Sequence, residues 1–328
     1  MRLSKIPAAL AIAHQAKISV FIKSPPGTAK TALVRQYADA QGMPLLYVSC
    51  PLSDPIDLRG IPATYDDYAR FLPLNFWPKE TDPPVVVLLD EILQCPPAIQ
   101  NCYAQLLIDH QMGDVKLPEG SFVAATSNRR QDRAATHNMP SHIVSRVMHI
   151  EIDAHHDDFI NHVLKNNWPV EIYSFLNFKP DCIHNFDPEQ SQDPYANYRS
   201  WEKVAHVLQT NPNEDLLPDL IAGLVGQGAA TEFIAFRRLS QSLPNPKAVL
   251  KDPDAHRIPE QSSVLYAISA SLAVNVDAKT VDNYFKYVRR LPTEFSVMSV
   301  KTARATYPGI SKAKAFGAWA KENSAVLF

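Results

Sequence analysis

The sequence predicts an α/β fold, a parallel sheet with helices packed on it, followed by an all-helical region. Three observations support this. Strands and helices alternate over roughly the first 150 residues, the pattern of βαβ units. The runs VVVLLDE (85–91) and SFVAATSN (121–128) are almost continuously apolar, as parallel strands buried on both faces must be. Beyond Asp153 no strong strand candidate remains, and the chain becomes helical and punctuated by proline.

In chain order, residues 4–16 are expected to form a helix, with Ser4 as N-cap and Pro7 in its first turn. ISVFIK (18–23) is a β-branched strand, broken by SPPGTAKT (24–31), and Leu33 to Gln41 is helical. LLYVSC (45–50) is a second strand. The Pro- and Asp-rich segment 51–84 reads as a long irregular insertion carrying Tyr65, Tyr68, Phe71, Phe76 and Trp77. After VVVLLDE, Pro97 to Asp109 has helical spacing, QMGDVKLP (111–118) hairpin character, and SFVAATSN and VMHIEID (147–153) are strands. The expected division is an α/β domain over 1–153, a helical domain over 154–245 and a helical extension over 246–328, with 187–198 and 243–260 as connections.

Composition bounds the function. Lys+Arg is 32 against Asp+Glu 34, so the chain lacks the basic excess of a general nucleic-acid binder. Four cysteines (Cys50, Cys95, Cys102, Cys182) show no CxxC pairing, which argues against a disulfide framework or zinc knuckle and for a reducing, cytoplasmic setting. MRLSKIPAALAIAHQA has the charges of a weak export signal, but its apolar part is short and leads directly into a strand. No run reaches the length of a membrane span, so no membrane insertion is expected.

The chemistry is carried by three strand ends. A phosphate loop needs inward-facing backbone N–H groups at a helix N-terminus, a Lys for the β/γ-phosphates and a Ser or Thr for Mg²⁺. SPPGTAKT supplies Gly27, Lys30 and Thr31, but has Ser24 and Ala29 where GxxxxGK[ST] has glycines. Ala29 adds one methyl group and suits helical φ/ψ. Ser24 is the greater departure if its position needs φ > 0. VVVLLDE places Asp90 and Glu91 at the C-terminal end of a buried strand, where parallel sheets bind ligands. Asp90 is positioned to hold Mg²⁺ and Glu91 to orient and polarise an attacking water. The alternative, an acidic pair that caps the next helix, leaves its coincidence with a phosphate loop unexplained. FVAATSN ends in Asn128, which can hydrogen-bond that water or the γ-phosphate; without the other two motifs it is a turn-forming Asn.

The order and spacing of these motifs, with the arginine in PSHIVSRVMHIEI, resemble the MoxR branch of the AAA+ ATPases, a parallel-sheet P-loop NTPase core with a helical lid. DEILQCPPAIQNCYAQLLIDHQMGD, NRRQDRAATHNMPSHIVSRVMHIEID, NYRSWEKV and RRLPTEFSVMSV carry the resemblance through most of the chain. It implies that Pro26, Gly27, Thr28, Ala29, Lys30, Thr31 and Ala32 hold ATP, and that Thr31 and Asp90 hold Mg²⁺. Glu91 would be the catalytic glutamate and Asn128 the first sensor. Arg146 would be an arginine finger acting on a neighbouring subunit's nucleotide, and Arg199 the second sensor. Arg133, and less so Arg129 and Arg130, are weighed between the subunit interface and a solvated basic turn.

The segment 51–84 occupies the position of this branch's helix-2 insert, so Tyr65, Phe71 and Trp77 either meet a client or pack the loop. The implied activity is Mg²⁺-dependent ATP hydrolysis by a homo-oligomeric, hexameric ring. It would act with a von Willebrand factor A domain partner on a client protein. A nucleotide-switched binding module and a nucleic-acid motor are the alternatives. His155–His156 with Asp157–Asp158 read as a helix start rather than a metal site, and Cys95 and Cys102 as small buried hydrophobes.

Overall fold

The computed structural model describes residues 1–66, 68–132, 137–153, 155–187, 193–241 and 243–324. The chain divides into two compact units, one built on Met1–His155 and the other running from His156 onward.

The first unit opens with a 3₁₀ turn, Leu3–Lys5, and α1 (Ile6–Gln15). Lys5 occupies the N-cap position without a side-chain hydrogen bond, and Pro7 sits in the first turn. Ser4 is therefore inside the 3₁₀ turn rather than the cap it was expected to be. The chain continues through β1 (Val20–Ser24), α2 (Lys30–Gln41) and β2 (Leu45–Ser49). Then come α3 (Pro55–Arg59), β3 (Ile61–Tyr65), β4 (Tyr68–Leu72), β5 (Val86–Asp90) and α4 (Pro97–Asp109). The hairpin strands β6 (Gln111–Met112) and β7 (Val115–Lys116), then β8 (Phe122–Asn128), α5 (Ser141–Val144) and β9 (Met148–Glu151) complete it.

Five strands form one parallel sheet in the order β2-β5-β8-β1-β9. The sheet is buried on both faces, which explains the unbroken apolar runs. Val86 and Leu88 pack with Ile6, Leu10 and Val34 on one side. Val87 and Leu89 pack with Ile99, Tyr103 and Leu107 on the other. Strand β8 lies between β1 and β5, with Ser24 opposite Asn128 and Leu89 opposite Ala125. The C-terminal ends of these three strands therefore meet at one edge.

The insertion is more ordered than its composition suggests. Asp54 caps α3 in a reciprocal capping box with Asp57, and β3 and β4 pair antiparallel, Ile61 opposite Leu72. Gly60, at φ 85°, leads into the hairpin so close to the Leu72 carbonyl that a Cβ there would collide with it. The expectation of an irregular segment is corrected: Ile61–Tyr65 and Tyr68–Leu72, which carry the strand formers Ile, Thr, Tyr and Phe, make strands.

The second unit is helical: α6 (His156–Lys165), α7 (Val170–Phe178), α8 (Tyr198–Gln209), α9 (Leu217–Val225), α10 (Gln227–Gln241), α11 (Pro246–Lys251), α12 (Ser262–Asn275), α13 (Val281–Val288), α14 (Thr293–Thr306) and α15 (Lys314–Glu322). Helix α12 is its centre and packs against α7, α10, α11 and α14. The expected division at 245 thus falls within this unit, between α10 and α11. Buried hydroxyls tie the interior together: Tyr284 bonds Ser299 at 2.8 Å, and Ser299 donates to the Ser269 carbonyl at 2.8 Å. Helix α6 begins at His156, as read from the sequence. Among the described residues no helix is long and apolar enough to cross a membrane.

Candidate functional site

The loop between β1 and α2 is where the chain turns from sheet to helix. Ser24 ends β1, fully buried, and its hydroxyl hydrogen-bonds Thr28 and donates to the Pro25 carbonyl at 3.0 Å. Thr28 Oγ1 lies 2.8 Å from the same carbonyl oxygen, so the two hydroxyl protons are shared among these three contacts. These bonds brace the turn from inside. Gly27 takes φ 78° and Ala29 takes φ 62°, both left-handed. The two departures from the glycine pattern thus exchange significance. Ser24 sits in an ordinary strand conformation, whereas Ala29 is not right-handed helical and holds the strained conformation itself.

Helix α2 starts immediately after Ala29, and among the described residues no side chain caps it. Its first-turn N–H groups face the loop with the positive end of the helix dipole behind them, an arrangement suited to phosphate. Lys30 is the first helical residue and is only 6% exposed. Its Nζ donates to Asn128 Oδ1 at 2.6 Å. A buried ammonium is retained only where charged or polar groups compensate it.

Asp90 gathers three hydroxyls. Thr31 Oγ1 lies 3.1 and 3.2 Å from its two carboxylate oxygens, Tyr47 donates to Oδ2 at 3.0 Å, and Thr126 donates to Oδ1. Burial, and then the charge and hydrogen bond of Asp90, push the Tyr47 phenol above its ordinary pKa. Glu91 adopts φ 56°, which turns the chain sharply off the strand. Its N–H donates to Thr126 Oγ1 at 3.4 Å, and its Oε2 accepts from Gln94 Nε2 at 3.0 Å and Asn128 N at 3.3 Å.

One network therefore joins Lys30, Thr31, Asp90, Glu91 and Asn128, residues up to 98 positions apart in sequence. Hard oxygen donors from Thr31 and Asp90 within hydrogen-bond distance of each other suit a small divalent cation such as Mg²⁺. The uncapped helix start and Lys30 suit a polyphosphate. Tyr47, Gln94 and Thr126 belong to the network without having been singled out from the sequence. Two had a legible signal. Thr126 shares a face of β8 with Asn128 by the two-residue period of a strand, and Gln94 lies one turn beyond Glu91.

Within the first unit, Arg146 and Arg129 bond to partners outside this network. Arg146 is exposed and donates to the His142 carbonyl at 2.8 Å, closing the turn after α5. Arg129 is held by Asp132 through two bonds of 3.1 and 3.0 Å. Arg133 lies outside the described residues. Arg199, in the second unit, is an exposed first-turn residue of α8, whose start is fixed by a capping box between Asn197 and Ser200.

In the insertion, Trp77 is buried and its indole N–H donates to the Asp57 carbonyl at 2.9 Å, while Phe71 is 46% exposed. Trp77 packs the loop, and Phe71 faces solvent. Cys50 and Cys95 are buried, and burial raises both thiol pKa values, that of Cys95 to about 11, which leaves them protonated and unreactive. Cys102 is only partly buried.

No family model matches the chain, and no curated protein matches it. Among solved structures it is similar to NtrX from Brucella abortus in complex with ATP, at 13% identity and a TM-score of 0.43, covering 92% of this chain and 67% of that one. It is also similar to the Thermotoga maritima RuvB Holliday junction branch migration motor, at 13% identity and a TM-score of 0.35, covering 94% of this chain and 85% of that one.

Proposed function

We propose that the first unit binds Mg²⁺-ATP and hydrolyses it, and that the chain is an AAA+ ATPase of the MoxR-like type. The observation that carries this reading is the single network in which Lys30, Thr31, Asp90, Glu91 and Asn128 converge at the C-terminal edge of the sheet. Pro26 to Ala32 wrap the phosphates, and Lys30 neutralises them. Thr31 and Asp90 hold Mg²⁺. When bound, the ion supplies charge neutralisation across the phosphate oxygens. Glu91 accepts a hydrogen bond from the attacking water and orients it, and Asn128 fixes both Lys30 and Glu91. Phosphoryl transfer asks the protein mainly for such positioning and charge stabilisation.

In this reading the active form is a homo-oligomeric, hexameric ring. Arg146, exposed on the surface, reaches the γ-phosphate held by a neighbouring copy, a contribution worth about 10³–10⁵ in rate. Arg199 is the second sensor. Remodelling of a client protein, together with a von Willebrand factor A domain partner, is the task that the motif resemblance implies.

The test is steady-state ATP hydrolysis across protein concentration, with Glu91→Gln and Arg146→Ala beside the wild type. Specific activity should rise with concentration and vanish in Glu91→Gln. Mixing the two inactive variants should restore part of the turnover, since each supplies across an interface what the other lacks. A protein that binds ATP and never hydrolyses it at any concentration would instead be a nucleotide-switched binding module. Verified mixed rings without recovery would remove Arg146 from the finger role.

A further inference from the structure

The Thr126 hydroxyl meets both acidic positions of the site, the Asp90 carboxylate and the Glu91 backbone N–H. Thr126 lies on β8, two residues before Asn128, and is fully buried. Its hydroxyl donates its one proton to Asp90 Oδ1 and accepts the Glu91 backbone N–H at 3.4 Å. We infer that Thr126 is a positioning residue that sets the Asp90 carboxylate for the metal ion and the Glu91 turn for the attacking water. The inference rests on the Mg²⁺-ATP reading of this site.

Several features single out Thr126 among the partners of the acidic pair. Thr31 is itself a candidate metal ligand. Tyr47 lies on the edge strand β2 and is 46% exposed, so water competes for its bond to Asp90. Thr126 is sealed from water, and such shielded bonds to a ligand's carboxylate fix its orientation most firmly. Its second bond falls where the backbone needs support. Glu91 holds a left-handed conformation that an L-residue adopts at a cost, and the Thr126 oxygen accepts the N–H at that twist. One buried hydroxyl thus couples the metal-holding carboxylate to the backbone that aims the catalytic one.

The experiment compares Thr126→Val and Thr126→Ser with the wild type. Valine keeps the branched shape and removes the hydroxyl; serine keeps the hydroxyl. Thr126→Ala, judged against Thr126→Ser, isolates the hydroxyl again where valine disturbs folding. A fluorescent ATP analogue reports binding in EDTA and through a Mg²⁺ titration, and turnover is measured over the same titration. Removing the hydroxyl should raise the half-saturating Mg²⁺ for analogue binding about ten-fold and lower turnover at saturating Mg²⁺ about ten- to one-hundred-fold, the usual range for supports of metal ligands. Analogue binding in EDTA should not change, and Thr126→Ser should stay close to the wild type.

Wild-type Mg²⁺ dependence in the hydroxyl-free variants overturns this inference alone. So does a serine variant as impaired as the valine one, with both melting early, because packing would then be the residue's role. A wild type that binds no analogue overturns the nucleotide reading and this inference with it.

Discussion

Ala29 holds φ at 62° between the β1–α2 loop and α2. A left-handed conformation costs an L-residue about 1–2 kcal/mol, while glycine adopts it freely but loses more entropy on folding. With the entropic loss of about 0.4–1 kcal/mol set against the strain, Ala29→Gly should stabilise the first unit by about 1 kcal/mol. Thermal melting should show a rise of about 2–4 °C for a unit of this size. A lower melting temperature would mean that the alanine methyl makes contacts outweighing the strain. The residues of the candidate site were legible in the sequence because lysine, threonine and the acidic pair follow apolar strands at a spacing that can be read. Its strain was not legible: sequence alone does not say which of two missing glycines needs φ > 0. Tyr47 went unrecognised for a different reason. Its tie to Asp90 depends on β2 pairing with β5, with Ser49 opposite Asp90, a register that only the folded sheet supplies.

The insertion between β2 and β5 separates two kinds of aromatic residue that composition treats alike. Trp77 is 5% exposed and joins the cluster of Leu58, Ile92 and Tyr103, and its N–H satisfies the Asp57 carbonyl just inside the C-terminal end of α3. Trp77→Phe removes that donor and leaves a void, so a loss of about 1–3 kcal/mol is expected. Phe71→Ala, at a 46% exposed position, should stay within about 0.5 kcal/mol of the wild type. Chemical denaturation of the two variants, followed by tryptophan fluorescence for Phe71→Ala and by circular dichroism for both, separates these outcomes. Equal losses would show that Phe71 also carries packing. The long buried strands and α4 were legible at element scale because apolar runs and helical spacing are local signals. The β3–β4 hairpin was obscured because Pro and Asp recur through the segment and neither IPATY nor YARFL alternates apolar with polar residues.

At the scale of the whole chain, each unit contains a histidine whose protonation folding disfavours. Burial, reinforced by the charge of His14 and by Lys17, lowers the pKa of His110; Asp109 opposes this in part. His110 ends α4 at φ 53° and its Nε2 bonds the Ser19 hydroxyl at 3.2 Å. In the second unit burial lowers the pKa of His162, with Lys165 acting the same way and Glu202 opposing. His162 lies against Phe159 and Trp168. The unfolded chain protonates these imidazoles near their ordinary pKa of about 6.5, while the folded units resist to lower pH. Between those pKa values the unfolded state binds more protons, so stability rises with pH. The stability these neutral rings contribute is complete above about pH 6.5 and is lost as pH falls below it. Thermal melts from pH 7.5 to 5.0 should therefore show a falling midpoint before most carboxylates titrate. Asparagine tolerates the left-handed conformation at position 110, so His110→Asn should flatten part of that fall, and His162→Gln a further part. A wild-type midpoint constant over this range, or double-variant melts as steep as the wild type, would show that protonation at these two rings does not govern the acid limit of the fold.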